Sequence, residues 1–310
     1  MFDIAIVGDV HISPSVSSRK DNYFDTCLQK IEEIASKCKN IIFLGDVFNS
    51  PTIAYNYFAD FYSLLSKLKA RGNNFYSILG NHDVFNERED SRLKTSLGLA
   101  YVTNLITLIL PDKPIKIGSY TFHTSYVSFD KAKKHLSNLK LDKLDILLLH
   151  HYFEDQYEGF CYEDLKNIGC DKIFFGHEHS AFEKGRKQFN EFTAYRCGSL
   201  LRNSSIEYNL KRTIFYYVFD PAGIKCCSLD CMKPAEEVFT YEAFNQENLH
   251  KKQFLNNINE VISKYTNNVS TQNTFNIKTI LEEINTPITN MQYIREKYEL
   301  IGERFDNYVV

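Results

Sequence analysis

The chain has 310 residues, with 36 Lys and Arg against 39 Asp and Glu for a formal net charge of −3, and 44% of its residues are apolar. This length can bury one large core, or one large and one small core. The balanced charge excludes a strongly cationic nucleic-acid-binding protein, and the apolar content excludes a disordered one. The sequence shows no basic leader followed by an apolar segment, and no stretch approaches about 18 apolar residues. We therefore expect a cytoplasmic protein that does not contact a membrane.

Strand-like runs alternate with helical patterns through the first half of the chain. Apolar runs predict strands at 2–7, 40–44, 74–79, 115–122, 145–149, 172–175, 192–196 and 213–219. Apolar residues at three- and four-residue spacing predict helices at 21–38 and 54–70, and shorter helices near Asp130 and at 161–168. This alternation implies parallel strands covered by helices, and the strand-rich region after about 170 implies a second sheet or antiparallel edge strands.

The composition changes after Asp230, and a polar linker at 266–276 separates predicted helices at 243–265, 277–284 and 289–304. From residue 233 onward the chain carries 8 Lys and Arg and 11 Asp and Glu, so this region is not a basic nucleic-acid-binding arm. Its last helix has an apolar stripe that either packs on its own domain or docks on a partner helix. The stripe consists of Met291, Ile294, Tyr298, Ile301 and Phe305. We divide the chain into a domain at 1–232 and a C-terminal region at 233–310.

Five short segments carry side chains that coordinate divalent metals, and each follows an apolar run. They read Asp-Val-His at 9–11, Gly-Asp-Val-Phe-Asn at 45–49, Gly-Asn-His-Asp at 80–83, His-His at 150–151 and Gly-His-Glu-His at 176–179. Any one of them could be an ordinary polar turn at a strand end. Side chains at the carboxyl ends of parallel strands project into one crevice, however, and all five together predict a two-metal phosphoesterase site. Mixed imidazole, carboxylate and amide donors favour Mn²⁺, Fe or Zn²⁺ over Mg²⁺ or Ca²⁺.

In this order the five blocks resemble the calcineurin-like metallophosphoesterase superfamily over roughly residues 1–230. The resemblance implies an α/β fold, in which two packed mixed β-sheets are flanked by helices as an α/β/β/α sandwich, with a small, mainly helical C-terminal extension. It also implies two divalent metal ions, with Mn²⁺ expected and Fe or Zn²⁺ as alternatives. One ion would be held by Asp9, His11, Asp46 and His179, and the second by Asp46, Asn81, His150 and His177.

The resemblance also assigns the remaining roles at the site. His82 would protonate the leaving oxygen, and Asp83 would orient the His82 side chain. A water or hydroxide between the ions would attack phosphorus. His150 is preferred to His151 as the ligand because it directly ends the apolar strand.

Within the superfamily, the stretch from Val7 to Phe85 is most similar to SbcD-type DNA-repair nuclease subunits. This resemblance implies exonuclease or endonuclease activity on DNA, and a C-terminal region that caps the domain or binds an SbcC-type coiled-coil ATPase; a homodimer is a further expected assembly. Arg19 and Arg202 are candidates for substrate contact. Two other functions stay open: a small-molecule or nucleotide phosphodiesterase or phosphatase on the same core, and a non-catalytic binding subunit that kept the fold.

Overall fold

The computed structural model describes residues 2–16, 18–154, 159–203, 213–220 and 223–240. Contacts divide the chain into two compact units, Met1–Tyr241 and Glu242–Val310. Residues 233–240, which we placed in the C-terminal region, belong to the first unit. The predicted helices at 243–265, 277–284 and 289–304 and the apolar stripe lie outside the described residues.

The described strands and helices follow the predicted alternation through the first half of the chain. The strands are β1 (Phe2–Val7), β2 (Cys38–Phe43), β3 (Asn74–Ser77), β4 (Thr107–Leu108), β5 (Ile115–Ile117), β6 (Tyr120–Thr124), β7 (Ile146–His150), β8 (Lys172–Gly176), β9 (Arg186–Gln188), β10 (Thr193–Tyr195), β11 (Phe215–Asp220) and β12 (Gly223–Ser228). The helices are α1 (Tyr23–Lys37), α2 (Tyr55–Ala70), α3 (Ser96–Val102), α4 (Phe129–Asn138), α5 (Tyr162–Leu165) and a last short helix at Ala235–Val238.

The strands form two mixed sheets. The first has the order β12-β11-β1-β2-β3-β4, in which β1 to β4 are parallel and β11 and β12 are antiparallel additions at one edge. The second has the order β5-β6-β7-β8-β10-β9, with β6, β7, β8 and β10 parallel and an antiparallel strand at each edge. The carboxyl ends of β1, β2 and β3 therefore share one edge, as do those of β7 and β8.

Side-chain alternation along the strands builds three apolar layers. On β1, Ala5 and Val7 face α1 and α2, whereas Ile4 and Ile6 pack between the sheets against Phe122 and other residues of the second sheet. A third cluster lies between the second sheet and helices α4 and α5. Helices thus cover the outer face of each sheet, which confirms the predicted α/β/β/α sandwich.

Some elements differ from the prediction for identifiable reasons. The single strand predicted at 115–122 is a hairpin of β5 and β6, because Gly118 adopts a left-handed φ of 61° between them. Strand β9 was missed because all three of its residues are exposed, so it lacks the apolar alternation that predicts a strand. Among the described residues, no helix has the length and apolarity needed to cross a membrane.

Candidate metal centre

The five polar segments meet where parallel strands of both sheets end. Asp9 and His11 follow β1, and Asp46 follows β2. Asn81 and His82 lie in a single 3-10 turn, Asn81–Asp83, after β3. On the second sheet, His150 is the last residue of β7, and the loop after β8 supplies His177 and His179.

The backbone at this edge is bent at the candidate ligands themselves. His11, Asp46 and His177 have left-handed φ angles of 52°, 45° and 77°, which residues with a Cβ rarely adopt. Such strained positions concentrate at functional sites, where the surrounding structure enforces them. A side chain at Gly80 would collide with the Asp46 carboxylate, so the Gly in Gly-Asn-His-Asp makes room for that acid.

A first group of donors consists of Asp9, His11 and His179, whose ligand atoms lie within 4.8 Å of one another. The Nε2 atoms of His11 and His179 are 2.8 Å apart, and His179 Nε2 is 3.7 Å from Asp9 Oδ2. Two imidazole nitrogens and a carboxylate oxygen therefore point at one small volume. The Asp9 backbone carbonyl accepts a hydrogen bond from Leu200 N at 2.7 Å, which fixes this loop from the opposite side.

A second group consists of Asp46, His150 and His177, together with the Asn81 amide. Asn81 Oδ1 lies 3.1 Å from His150 Nε2 and 3.0 Å from His177 Nδ1. His150 Nδ1 is 2.7 Å from the Leu44 carbonyl oxygen, which can only accept, so Nδ1 carries the proton of the neutral ring. Nε2 is then free to coordinate, which is how a backbone carbonyl commonly orients a metal-binding histidine.

Asp46 connects the two groups. Its Oδ2 lies 3.2 Å from His150 Nε2 in the second group and 3.6 Å from His11 Nε2 in the first. Its Oδ1 accepts a hydrogen bond from the His82 backbone N at 2.8 Å. One carboxylate oxygen thus faces both groups while the other is fixed to the backbone.

Burial and the neighbouring charges shift the pKa values of the imidazoles and carboxylates at the site. Burial lowers the pKa of His11 and of His177 to about 3, so both rings are neutral with a lone pair available. Burial acts on His150 in the same direction, but the carboxylates of Asp46 and Asp9 outweigh it and raise the His150 pKa to about 10. Burial alone would raise the pKa of Asp46, yet the neighbouring imidazoles, His150 first, lower it. The buried carboxylates therefore favour a positive charge at this position.

The donor set fits divalent metal ions. Asp9 Oδ2 and His11 Nδ1 are buried and have no hydrogen-bond partner, a costly state for polar atoms inside a protein. A cation beside Asp9 Oδ2 would remove that cost. Imidazole, carboxylate and amide donors together suit Mn²⁺, Fe or Zn²⁺. The structure thus brings together all seven residues expected to hold metal.

His82 is placed differently from the ligands. Its side chain is 40% exposed, and its Nε2 lies 4.0 Å from Asp46 Oδ2. Its Nδ1 is 2.8 Å from the Asn49 carbonyl oxygen, so a proton on Nδ1 is held there and Nε2 faces the crevice. His82 also groups with His11 and Asp46 within 4.8 Å, so its geometry alone does not separate a ligand from a proton donor.

Asp83 does not make the contact we expected. Its carboxylate is buried and accepts hydrogen bonds from Gly80 N at 3.0 Å and Phe48 N at 3.4 Å, which closes the 3-10 turn. The group that holds the His82 ring is the Asn49 carbonyl. The expectation that Asp83 orients His82 is therefore corrected: Asp83 shapes the turn that presents His82. The sequence could not reveal this, because a backbone carbonyl can come from any residue type.

The neighbouring histidine, His151, lies on the opposite side of the strand end. Its Nε2 is 2.8 Å from the Tyr126 carbonyl oxygen, and its ring packs edge-on against Phe129 and Phe160. Burial lowers its pKa to about 4. His150 points into the crevice and His151 into the apolar layer.

Arg19 and Arg202 lie together in a buried basic cluster beside α1. Arg19 forms a bidentate ion pair with Asp21, at 2.7 and 2.6 Å, and donates to the Arg202 carbonyl at 2.7 Å. Arg202 donates to the Lys233 carbonyl at 3.1 Å. These contacts link the start of α1 to later segments of the unit, and substrate contact by either arginine stays a prediction.

A crevice of paired imidazole and carboxylate groups thus lies where strands of the two mixed sheets end. The sequence matches the calcineurin-like phosphoesterase family over residues 2–181, and the chain belongs to that family. None of the curated proteins matches the sequence. Two of the solved structures that match this chain do so at low identity: one is a crystal structure with 11% identity and a TM-score of 0.43, which covers 73% of this chain and 98% of its own. The other is described as a novel archaeal phosphodiesterase, with 14% identity and a TM-score of 0.35, covering 73% of this chain and 99% of its own.

Proposed function

We propose that this chain hydrolyses phosphodiesters with two metal ions, and that the diester is part of DNA, as in SbcD-type nucleases. The observation that supports the dinuclear site is the position of Asp46, whose Oδ2 faces His11 of one donor group and His150 of the other. From this position Asp46 would contribute a ligand oxygen toward each of the two ions, which together would stabilise the charge that develops on the phosphoryl group.

The ions would be held by the donor groups described above. When bound, they supply Lewis-acid stabilisation of the phosphoryl oxygens and acidify a water molecule. Leu44 O and Asn49 O fix the rings of His150 and His82, so backbone carbonyls orient both imidazoles. His82 Nε2 is oriented toward the crevice and is exposed enough to meet a substrate, which supports a role in protonating the leaving oxygen.

A diester is favoured over a monoester by the segment after Asp46. Related phosphoprotein phosphatases carry an arginine there that grips the dianionic phosphate, whereas this chain has Val47-Phe48-Asn49. Val47 and Phe48 are buried in the core, and Asn49 contributes its carbonyl to His82. This segment supplies no cation for the second negative charge of a monoester.

A small nucleotide diester is the second candidate substrate. It is favoured because several arginine side chains already form ion pairs with carboxylates. In the part of the chain that the structure describes, Arg19 pairs with Asp21, Arg88 with Asp90 and Arg196 with Glu178. Long nucleic acids are held mainly by Lys and Arg that neutralise phosphates. We propose that DNA affinity depends on a partner, either an SbcC-type coiled-coil ATPase or a second copy of the chain.

One assay tests these proposals together. The purified chain with Mn²⁺, Fe²⁺ or Zn²⁺ is offered single-stranded DNA, duplex DNA, an aryl phosphodiester and an aryl phosphomonoester. We expect the aryl diester to be cleaved faster than the monoester, and chelation of the metal to abolish both activities. Faster cleavage of the monoester would refute the diester assignment. Cleavage of the aryl diester but of neither DNA, at low salt, would favour the small nucleotide diester.

A further inference from the structure

Tyr152 is an exposed aromatic side chain that contacts the candidate metal centre. It follows His150 by two residues, and 37% of its surface is accessible to solvent. Its ring centroid lies 4.2 Å from that of His177, with an interplanar angle of 76°. Most exposed apolar residues on a protein need no explanation, but this one lies against a candidate ligand.

The backbone holds Tyr152 firmly in this position. Its neighbours His151 and Phe153 are both buried, so the alternation along the segment turns Tyr152 outward. Its carbonyl accepts a hydrogen bond from Phe160 N at 2.9 Å. A Cβ at Gly159 would lie 2.9 Å from the same carbonyl oxygen, so the two segments are in close contact. The ring is therefore presented on a fixed backbone.

The charged groups beside His177 and His179 are engaged with each other. Glu178, between the two histidines of its segment, forms an ion pair with Arg196, whose guanidinium lies 4.0 Å from the Phe182 ring. A substrate whose phosphate is bound by metal needs another source of affinity for the rest of the molecule. Aromatic side chains provide it for nucleobases, since every base has a flat π-face that stacks on them.

We propose that Tyr152 is a substrate-binding residue that stacks on the nucleobase next to the scissile phosphate. This inference rests on the proposed function and narrows it to a nucleoside phosphodiester, whether free or within a nucleic acid. The metal centre would hold the phosphate, and Tyr152 would select substrates whose neighbouring group is planar and aromatic.

The test compares two diesters with the same leaving group, thymidine 5′-(p-nitrophenyl phosphate) and methyl p-nitrophenyl phosphate, using the full chain with Mn²⁺. In Tyr152→Ala we expect KM for the thymidine ester to rise about 5- to 100-fold, the range for loss of one stacked base. KM for the methyl ester should change less than about twofold, and Tyr152→Phe should restore wild-type values. Tyr62→Ala is the matched control, because Tyr62 is 40% exposed on α2 and packs against Phe58.

Other outcomes separate stacking from a role through His177. An equal loss on both esters, or a lower metal content in Tyr152→Ala, would show that Tyr152 only positions His177 and would overturn the inference. No change on either ester would overturn it as well.

Binding of thymidine 5′-monophosphate, measured by calorimetry on the same proteins, separates the inference from the proposed function. If the wild type cleaves neither ester but Tyr152→Ala weakens this binding at least fivefold, the proposed function fails and the stacking site stands. Equal binding by both proteins would refute the stacking site.

Discussion

The edges of the two sheets bring different chemistry to the same crevice. The first sheet supplies both carboxylates, Asp9 and Asp46, and the Asn81 amide. The second sheet supplies only imidazoles, those of His150, His177 and His179. The negative charge that attracts cations therefore comes from one sheet, while the other contributes donors whose protonation responds to that charge. Loss of Asp46, the carboxylate on the first edge that faces both groups, should affect both ions, whereas loss of a single imidazole on the second edge should affect one.

The largest effect is expected from the carboxylate shared by both groups. Asp46→Ala removes the oxygen that faces His11 and His150, so we expect loss or weak binding of both ions. Because each ion contributes several kcal/mol to transition-state stabilisation, kcat/KM should fall about 10⁴-fold or more. Metal analysis of the purified variant beside steady-state kinetics measures both quantities. Two tightly bound metals per chain with normal activity would refute the bridging role.

His82 belongs to the first edge but should behave differently from the ligands. His82→Ala should keep its metal content and lose about 10²- to 10⁴-fold in kcat on an ester with a poor leaving group. An activated aryl ester, whose leaving group needs little protonation, should lose much less. Loss of metal together with activity would instead make His82 a ligand, as its proximity to His11 and Asp46 allows.

At the second edge, two adjacent histidines provide a matched pair. His150→Ala should lower the metal content by one ion and reduce kcat/KM by about 10²-fold, since the shared Asp46 keeps the other ion. His151→Ala should keep both ions but destabilise the fold by about 1–3 kcal/mol, because the partly buried Tyr126 carbonyl loses its hydrogen-bond partner and Phe129 and Phe160 lose the ring that packs on them. Metal content should thus fall in His150→Ala, and the melting temperature should fall in His151→Ala. The assignment is wrong if His151→Ala is the variant that loses metal.

The smallest effect concerns the proton that the His150 ring carries before metal binds. The raised pKa of His150, about 10, means that it is protonated at neutral pH before metal binds. Coordination requires the neutral ring, so binding should release about one proton, and affinity should rise with pH up to that pKa. Calorimetry in two buffers with different ionisation enthalpies measures the proton count. Burial also raises the pKa of Asp9, to about 7, so Asp9 contributes to the release as well. In His150→Ala the release should therefore be smaller than in the wild type, and equal release by both proteins would disprove His150 as a source.

The sequence was informative where structure repeats a simple pattern. Apolar runs identified β1 and β7, and the polar residues directly after them predicted the crevice. Strand β9 could not be predicted because it has no buried residue. The hydrogen bonds that hold the His150 and His82 rings on Leu44 O and Asn49 O could not be predicted either, because any residue could provide those carbonyls. Asp83 was misjudged because an acid beside a histidine can bond to either the ring or the backbone.

His11 and His179, whose nitrogens are 2.8 Å apart, are separated by 168 positions in the sequence. Contacts between such distant residues form late in folding, because a long stretch of chain must first be ordered. During synthesis, the acidic edge of the first sheet emerges well before the imidazoles that complete it. Metal can bind both groups only after the two sheets have docked, and it then stabilises the docked state by mass action. Uptake of both metals should therefore be among the last events in maturation, and metal limitation should lower the stability of the docked sheets without separating them, because a buried apolar layer also joins them.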